Sequence, residues 1–435
     1  MRRIPILISL MVFTASFIIA APITLDDAIE SAKENNISLE ISQIQLRQSL
    51  RNASTLSSWL PDFTLNGSIS TSASAIDKSW TSPVNAAMNV GISYSLGTSK
   101  IGTAEKARID ETIANLTYAS AVSTVEESVT LAYINLQNAH LNIETSRISL
   151  NNLNETLANT KERYESGYAS ELDVYEAELA VRNSEYGLKA LMDAYELSLD
   201  SFRILTGITD DEIELSDIRY TDELTLPGAE ELMMLYSSSI ISVQSSEASI
   251  DKAESNLKSA KISNYYPSVS FSAGWDLTGN AGYTSNGTGR STASDNFYGR
   301  ITVSVPISSY IPGSNGNNSV KNAEDNVEIA KLQMANAKQS ILSSLKSDIS
   351  RINQQSENIS IAEESLAIAE KTLELRRESY NAGLSSLSDL LSAENRVLSA
   401  RLTLDSARLS KLTAIYNLCF DLGISRSELE EKYSN

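Results

Sequence analysis

Cysteine and histidine are nearly missing: Cys419 and His140 are the only ones in 435 residues. One cysteine cannot close an internal disulfide, and one histidine cannot anchor a metal cluster. Any Ser-His-Asp or Cys-His centre would have to be built from these two single residues. His140 lies in a helical pattern between Ala139 and Leu141, where a packed or solvated imidazole is the ordinary outcome. Gly-rich phosphate loops and zinc spacings are also missing. The chain therefore reads as no enzyme, and no cofactor is expected. Basic clusters are scarce as well. The net charge of −20 excludes the usual nucleic-acid binder, which needs grouped Lys and Arg. The acids are dispersed, as on a solvated helix surface.

Long apolar runs are missing after the first twenty or so residues. The opening MRRIPILISLMVFTASFIIAAP has Arg2 and Arg3, an apolar run from Ile4 to Ile19, then Ala20-Ala21. That is a secretory signal peptide pattern with cleavage near Ala20 or Ala21, and the run is short for a spanning helix. No cysteine follows it, so no N-terminal lipid anchor is expected. The eight prolines are placed with equal economy: none lies between 84 and 226, and none after 312. Both tracts are free to be helical.

What is there is periodicity. Val129, Leu136, Ile143, Leu150, Leu157 and Tyr164 recur every seven residues, and Leu345, Ile352, Ile359, Leu366, Leu373 and Tyr380 repeat them at an offset of 216. A sustained seven predicts coiled-coil-like helices. A small-residue seam runs Val320, Ala323, Val327, Ala330, Met334, Ala337, Ile341. Elsewhere the period is two. Phe63, Leu65, Gly67 and Ile69 alternate with polar residues, as do Met88, Val90, Ile92, Tyr94 and Leu96. So do Val269, Phe271, Ala273 and Trp275, then Ile301, Val303, Val305 and Ile307. These predict four strands. Their second face is Ser, Thr, Asn and Gly, which suits a water-filled lumen or a half-buried soluble sheet. Pro61 and Pro267 mark helix-to-strand switches. Their offset is 206 rather than 216, so the second hairpin region is ten residues longer, and TGNAGYTSNGTGRSTASDN at 278–296 reads as a long external loop. Trp59, Trp80, Tyr94, Tyr265, Tyr266, Trp275, Tyr298 and Tyr310 gather near the strands, as interfacial girdles or as core aromatics.

The fold class is thus mixed and mainly α, with two internal repeats. Residues 1–21 are the signal peptide. Repeat one is 22–226, repeat two 227–418, and 419–435 a C-terminal tail. Each repeat reads helix, β-hairpin, two long helices. Four strands cannot close a barrel and open edges cannot face lipid. Two copies give about eight strands with a filled lumen, and three give about twelve with a water passage. A homotrimeric transmembrane barrel is the expectation, with the long helices forming a tube below it.

The most specific string is Y-x-x-G-x-x-S-x-x-D-(x)3-A-E. Tyr164, Gly167, Ser170, Asp173, Ala177 and Glu178 return as Tyr380, Gly383, Ser386, Asp389, Ala393 and Glu394. With ITLDDAIESAKENNISLEISQIQLRQS at the start, and WLPDFTLNGSIS echoed by YYPSVSFSAGW, the chain resembles the TolC-like outer-membrane efflux family from Ile23 to about Leu418. The family usually has Asn-Pro where this chain has Asn36-Ile37. The resemblance implies an outer-membrane barrel continuing into a periplasmic α-helical barrel. It implies a passive exit duct of a tripartite efflux or type I secretion system, docked to a periplasmic adaptor and an inner-membrane transporter.

For the repeated string two readings stand side by side. Gly167 and Gly383 fit helix C′ positions, Ser170 and Ser386 N-caps, and Asp173 and Asp389 the N3 partners of a capping box. The resemblance adds that these turns form the closed periplasmic entrance. Asp389 would then line the constriction, with Asp173 and Tyr380 in its latch. The family pattern carries a second acid where this chain has Ser392, and an arginine where it has Ser385. A trimeric coiled-coil surface protein would put heptads and strands in separate blocks, whereas here they alternate twice. A soluble periplasmic helical scaffold is the other alternative.

Overall fold

The computed structural model describes residues 22–53, 60–71, 84–95, 102–209, 213–217, 224–283 and 289–433. The signal segment, Trp59, Trp80, Leu96 and 284–288 lie outside the described residues. In chain order the elements are α1 (Leu25–Asn35), α2 (Ile37–Ala53), β1 (Asp62–Thr71), β2 (Val84–Ser95), α3 (Thr103–Glu165), α4 (Glu171–Thr206), α5 (Ala229–Tyr236), α6 (Ile241–Tyr265), β3 (Ser268–Tyr283), β4 (Gly289–Ser304), a 3-10 turn (Ile307–Tyr310), α7 (Asn315–Asn381), α8 (Leu387–Leu422) and α9 (Arg426–Tyr433). The chain is mainly helical with one antiparallel sheet. Among the described residues no helix is long and apolar enough to cross a membrane.

Contacts divide the chain into two units that cut across the sequence repeats. One holds the described residues up to Glu40, Val122–Ala229 and Leu345 onward, and the other holds Ile41–Ala121 and Glu230–Ser344. In the first unit the heptad rows are buried at their leading members, Val129, Leu136 and Ile143 on α3 and Leu345 and Ile352 on α7. Tyr133 anchors the start of the chain, its hydroxyl lying 2.8 Å from the Ile23 carbonyl and 2.7 Å from that of Ser216. Asn36 joins α1 to α2. Its Oδ1 accepts from the Ser38 and Leu39 amides at 2.9 and 3.3 Å, and its Nδ2 donates to the Leu205 carbonyl at 2.8 Å. Ile37 thereby occupies the first helical position, where proline is also at home. The segment 419–435 is more than a tail. Cys419 and Leu422 are buried at the end of α8 and Leu429 in α9, because the apolar stripe of α8 continues past Leu418.

The second unit contains the sheet, ordered β1-β2-β3-β4. The loop expected at 278–296 is corrected. β3 and β4 have 16 residues each, against 10 in β1 and 12 in β2, so the extra length is strand. Cross-strand pairing orders a composition that looks loop-like in isolation, as where the Thr278 and Ser294 hydroxyls meet at 2.8 Å. At the other end β4 stops at Ser304, and Ile307 lies in the 3-10 turn, because Pro306 cannot extend the ladder.

Register makes the two faces distinct. One face carries Phe63, Leu65 and Ile69 opposite Ile92, Val90 and Ala86, continuing to Phe271, Trp275, Leu277, Phe297 and Ile301. Phe63, Leu65, Ile69, Phe297 and Ile301 are all largely exposed. The other face is polar. Among the described residues the aromatics do not form one belt. Trp275 and Phe297 stack on the apolar face with centroids 6.1 Å apart. Tyr298 lies on the polar face across Gly274, where a Cβ would meet its hydroxyl at 2.7 Å. Tyr265 and Tyr310 pack at the helix-strand junction, the Tyr310 hydroxyl donating to the Tyr265 carbonyl at 2.6 Å.

Candidate functional site

Two chain reversals, at 164–178 and 380–394, are built alike. Each long helix closes with a left-handed glycine, φ +76° at Gly167 and +75° at Gly383. Gly167 N–H donates to the Tyr164 carbonyl at 3.0 Å and Tyr168 N–H to that of Arg163 at 2.7 Å. Gly383 and Leu384 do the same to Tyr380 and Ser379 at 3.0 and 2.8 Å. These paired bonds satisfy carbonyls that the helix end leaves without partners.

The returning helices start on capping boxes. The Ser170 hydroxyl accepts from Asp173 N–H at 3.2 Å, and Asp173 Oδ2 accepts from Ser170 N–H at 2.8 Å. Ser386 and Asp389 repeat this at 3.2 and 3.4 Å. Asp389 has additional neighbours. Ser385 Oγ stands 3.4 Å from its Oδ2 and the Arg376 guanidinium 4.0 Å away. The Ser386 hydroxyl above all, then the Ser386 amide and Arg376, hold the Asp389 carboxyl below its ordinary range. Ser392 turns back on its own helix, donating to the Ser388 carbonyl at 2.7 Å, so it does not join Asp389.

Tyr380 is tied to α3 rather than to Asp173. Thr160 spends its proton on the Thr156 carbonyl at 2.8 Å, so the Tyr380 hydroxyl donates to Thr160 Oγ1 at 3.0 Å. The Arg163 guanidinium sits 4.7 Å over the Tyr380 ring, and its Nη1 donates to the Asn381 carbonyl at 2.9 Å. Asn159 donates to Asn381 Oδ1 at 3.1 Å, and Thr156 Oγ1 to Glu394 Oε1 at 2.9 Å. Below these bonds Ala177, Tyr380, Leu387 and Leu390 form a buried apolar cluster.

Glu394 is the most enclosed acid of this region, with 4% of its side chain exposed and Arg377 at 3.5 Å. Burial raises its carboxyl above the ordinary range, against the opposing pull of Thr156 and Arg377. Thr156, Thr160, Arg163, Asn381 and Glu394 were not singled out as site residues by sequence. One signal was available: Lys161 faces Glu178 at 2.9 Å as Arg377 faces Glu394, and both members of the pair are 216 residues from their counterparts. Pro61 directly precedes β1, and Pro267 stands between α6 and β3. Tyr266, before it, has the extended backbone (φ −109°, ψ 147°) that proline imposes on its predecessor.

Long paired helices with matched turns, and a sheet apolar on one face and polar on the other, fit the outer-membrane class that the sequence resembles. Comparison with known proteins agrees. Residues 28–206 and 240–423 match the outer membrane efflux protein family. Among solved structures, CusC aligns with a TM-score of 0.73 at 15% identity, over 92% of each chain. VceC of Vibrio cholerae aligns with a TM-score of 0.68 at 18% identity, over 92% of this chain and 96% of that one. The CmeC outer membrane channel of Campylobacter jejuni gives 0.69 at 17%, over 94% and 89%. No curated protein matches by sequence. The chain belongs to the outer membrane efflux protein family, and it is an outer-membrane exit duct for efflux. Membership sets aside the surface-stalk and soluble-scaffold alternatives.

Proposed function

We propose that three copies of this chain close one barrel of about twelve strands in the outer membrane, continued by a periplasmic tube of helices that is gated at the turns 164–178 and 380–394. The observation that carries the proposal is the sheet. Among the described residues β1 and β4 are its two ends, and one face carries exposed apolar side chains on every strand, with Asp295 on β4 its single charge. A backbone edge in lipid needs a partner, and β4 of one copy beside β1 of the next supplies it in antiparallel sense.

In this reading the duct is passive. An inner-membrane transporter supplies energy, and a periplasmic adaptor couples the two. The N-terminal segment is a signal peptide removed near Ala20 or Ala21. The α3 links to Tyr380, Asn381 and Glu394 hold the second turn against the first within each chain, and Asp389 faces the entrance. Opening then requires the bonds of Thr156, Asn159, Thr160 and Arg163 to break. The test is the purified mature protein: a trimer that inserts into planar bilayers with small resting conductance. A detergent-stable monomer that forms no pore overturns the shared barrel.

A further inference from the structure

The polar face of the sheet is layered. Reading across β1, β2, β3 and β4 in register, one row is Asp62, Ser93, Ser272, Arg300 and the next is Thr64, Gly91, Gly274, Tyr298. Then come Asn66, Asn89, Asp276, Asn296, and after them Ser68, Ala87, Thr278, Ser294. The third row is the only one of these with a side-chain amide or carboxylate on every strand. Its neighbours are low: glycines with a tyrosine ring laid over them on one side, and small hydroxyl or methyl side chains on the other. The amide row therefore projects farther than the rows beside it.

Asp276 is its single charge. The Asn89 amide donates to Asp276 Oδ1, which fixes the carboxylate along the row. The nearest other charges on this face are those of Asp62 and Arg300, four residues away along the strand, or about 13 Å, and they oppose each other in sign. Beyond about 10 Å at 0.1 M salt, exposed charges are screened, so nothing on this face offsets Asp276 locally.

We propose that the Asn66–Asn89–Asp276–Asn296 row is a charge-selective band inside the barrel, and that Asp276 sets its preference for cations. The inference rests on the trimeric barrel reading, which repeats the row three times around a closed lumen and turns the polar face inward. Three fixed carboxylates on a ring of amides concentrate cations and repel anions across the passage. This band is separate from Asp389, which belongs to a helix turn in the other unit.

The test is ion selectivity in planar bilayers under a potassium chloride gradient, at 0.1 M and 1 M mean salt, in wild type and in the Asp389→Asn background. Asp276→Asn keeps an acceptor for Asn89 and removes only charge. It should lower the cation-to-anion permeability ratio about twofold at 0.1 M, with a smaller change at 1 M because of screening. Asn66→Asp adds a second carboxylate to the same row and should raise the ratio. A purely structural Asp276 predicts the wild-type ratio for Asp276→Asn, and an unchanged ratio in conducting Asp276→Asn pores overturns the proposal while leaving the barrel standing. A wild-type protein that neither trimerises nor conducts overturns the barrel and the proposal together.

Discussion

The turn at 164–178 stands open where the turn at 380–394 is enclosed, although both use the same glycine, serine and aspartate at the same spacing. Tyr164 is 46% exposed and Tyr380 5%. Where the first turn has Glu171, the second has Leu387, which is fully buried. Local backbone chemistry is shared because it is written within ten residues: a left-handed C′ residue and a capping box need nothing from afar. Side-chain surroundings differ because they depend on the neighbouring helix. Within one chain the second turn has α3 beside it. On the trimeric reading the first turn gets its counterpart from the next copy.

Tyrosine truncation should break this comparison most sharply. Tyr380→Ala removes a buried ring, its bond to Thr160 and the Arg163 stacking. It is expected to cost about 3–5 kcal/mol in denaturant unfolding of the solubilised protein. Tyr164→Ala should stay within about 1 kcal/mol for a single chain, its effect showing instead in the stability of the trimer. Equal losses in monomeric protein would mean that the enclosure of the second turn has no energetic weight.

The glutamates come next. Glu394→Ala strands the buried Thr156 hydroxyl and removes the partner of the half-exposed Arg377 guanidinium, costing about 1–3 kcal/mol. Glu178→Ala breaks an exposed pair worth about 0–1 kcal/mol. Unfolding of the two variants side by side measures the difference.

Among the described residues the carboxyls raised by burial, Asp348, Glu394 and Asp405, all lie in the second half, and so should the pH dependence they cause. Burial first, then the neighbouring Asp421, pushes the Asp348 carboxyl from 3.8 up to about 6, against the opposing pull of Arg351. The residue 216 earlier is Ala132, so the first half has no counterpart. The folded state holds this proton more tightly than the unfolded chain, so the contribution of Asp348 to stability is greatest below about pH 4. It falls as pH rises through about 6. Asp348→Asn should flatten that slope in melting temperature against pH, and an unchanged slope would place its origin elsewhere.

The smallest difference is expected at the glycines. Gly167→Val and Gly383→Val each force a β-branched residue into a left-handed backbone, costing about 1–3 kcal/mol. At Gly167 an added Cβ meets nothing within 4 Å, and at Gly383 it reaches only the Arg163 guanidinium at 3.9 Å. Matching losses sharpen the comparison by assigning the turns to backbone alone. A much larger loss at Gly383 would mean that the enclosing contacts already act on the turn.

Sequence made the helices legible because a seven-residue period held over six successive positions has one structural solution, and Val129, Leu136, Leu345 and Ile352 are buried as that period requires. The turns were legible for the same local reason that makes them alike. The strand length at 278–296 was not, since Ser, Thr, Asn and Gly order only when a partner strand is present. The bonds from Thr156, Thr160 and Arg163 were hidden too. They join residues more than 200 apart, and a threonine on a helix face reads the same whether it meets a partner or water.

The constant 216-residue spacing makes these helices a ruler. Bonds such as Thr156 to Glu394 and Thr160 to Tyr380 tie height on α3 to height on α7 and α8. A seven-residue insertion moves a turn by about 10 Å along its axis while keeping the apolar row in phase. Placed in α3 alone, it would lift the first turn clear of the second and sever every bond between them. Placed in α3, α4, α7 and α8 together, it would leave each bond intact and lengthen the passage by one graduation. The reach of such a duct can therefore change only in whole heptads, four at a time.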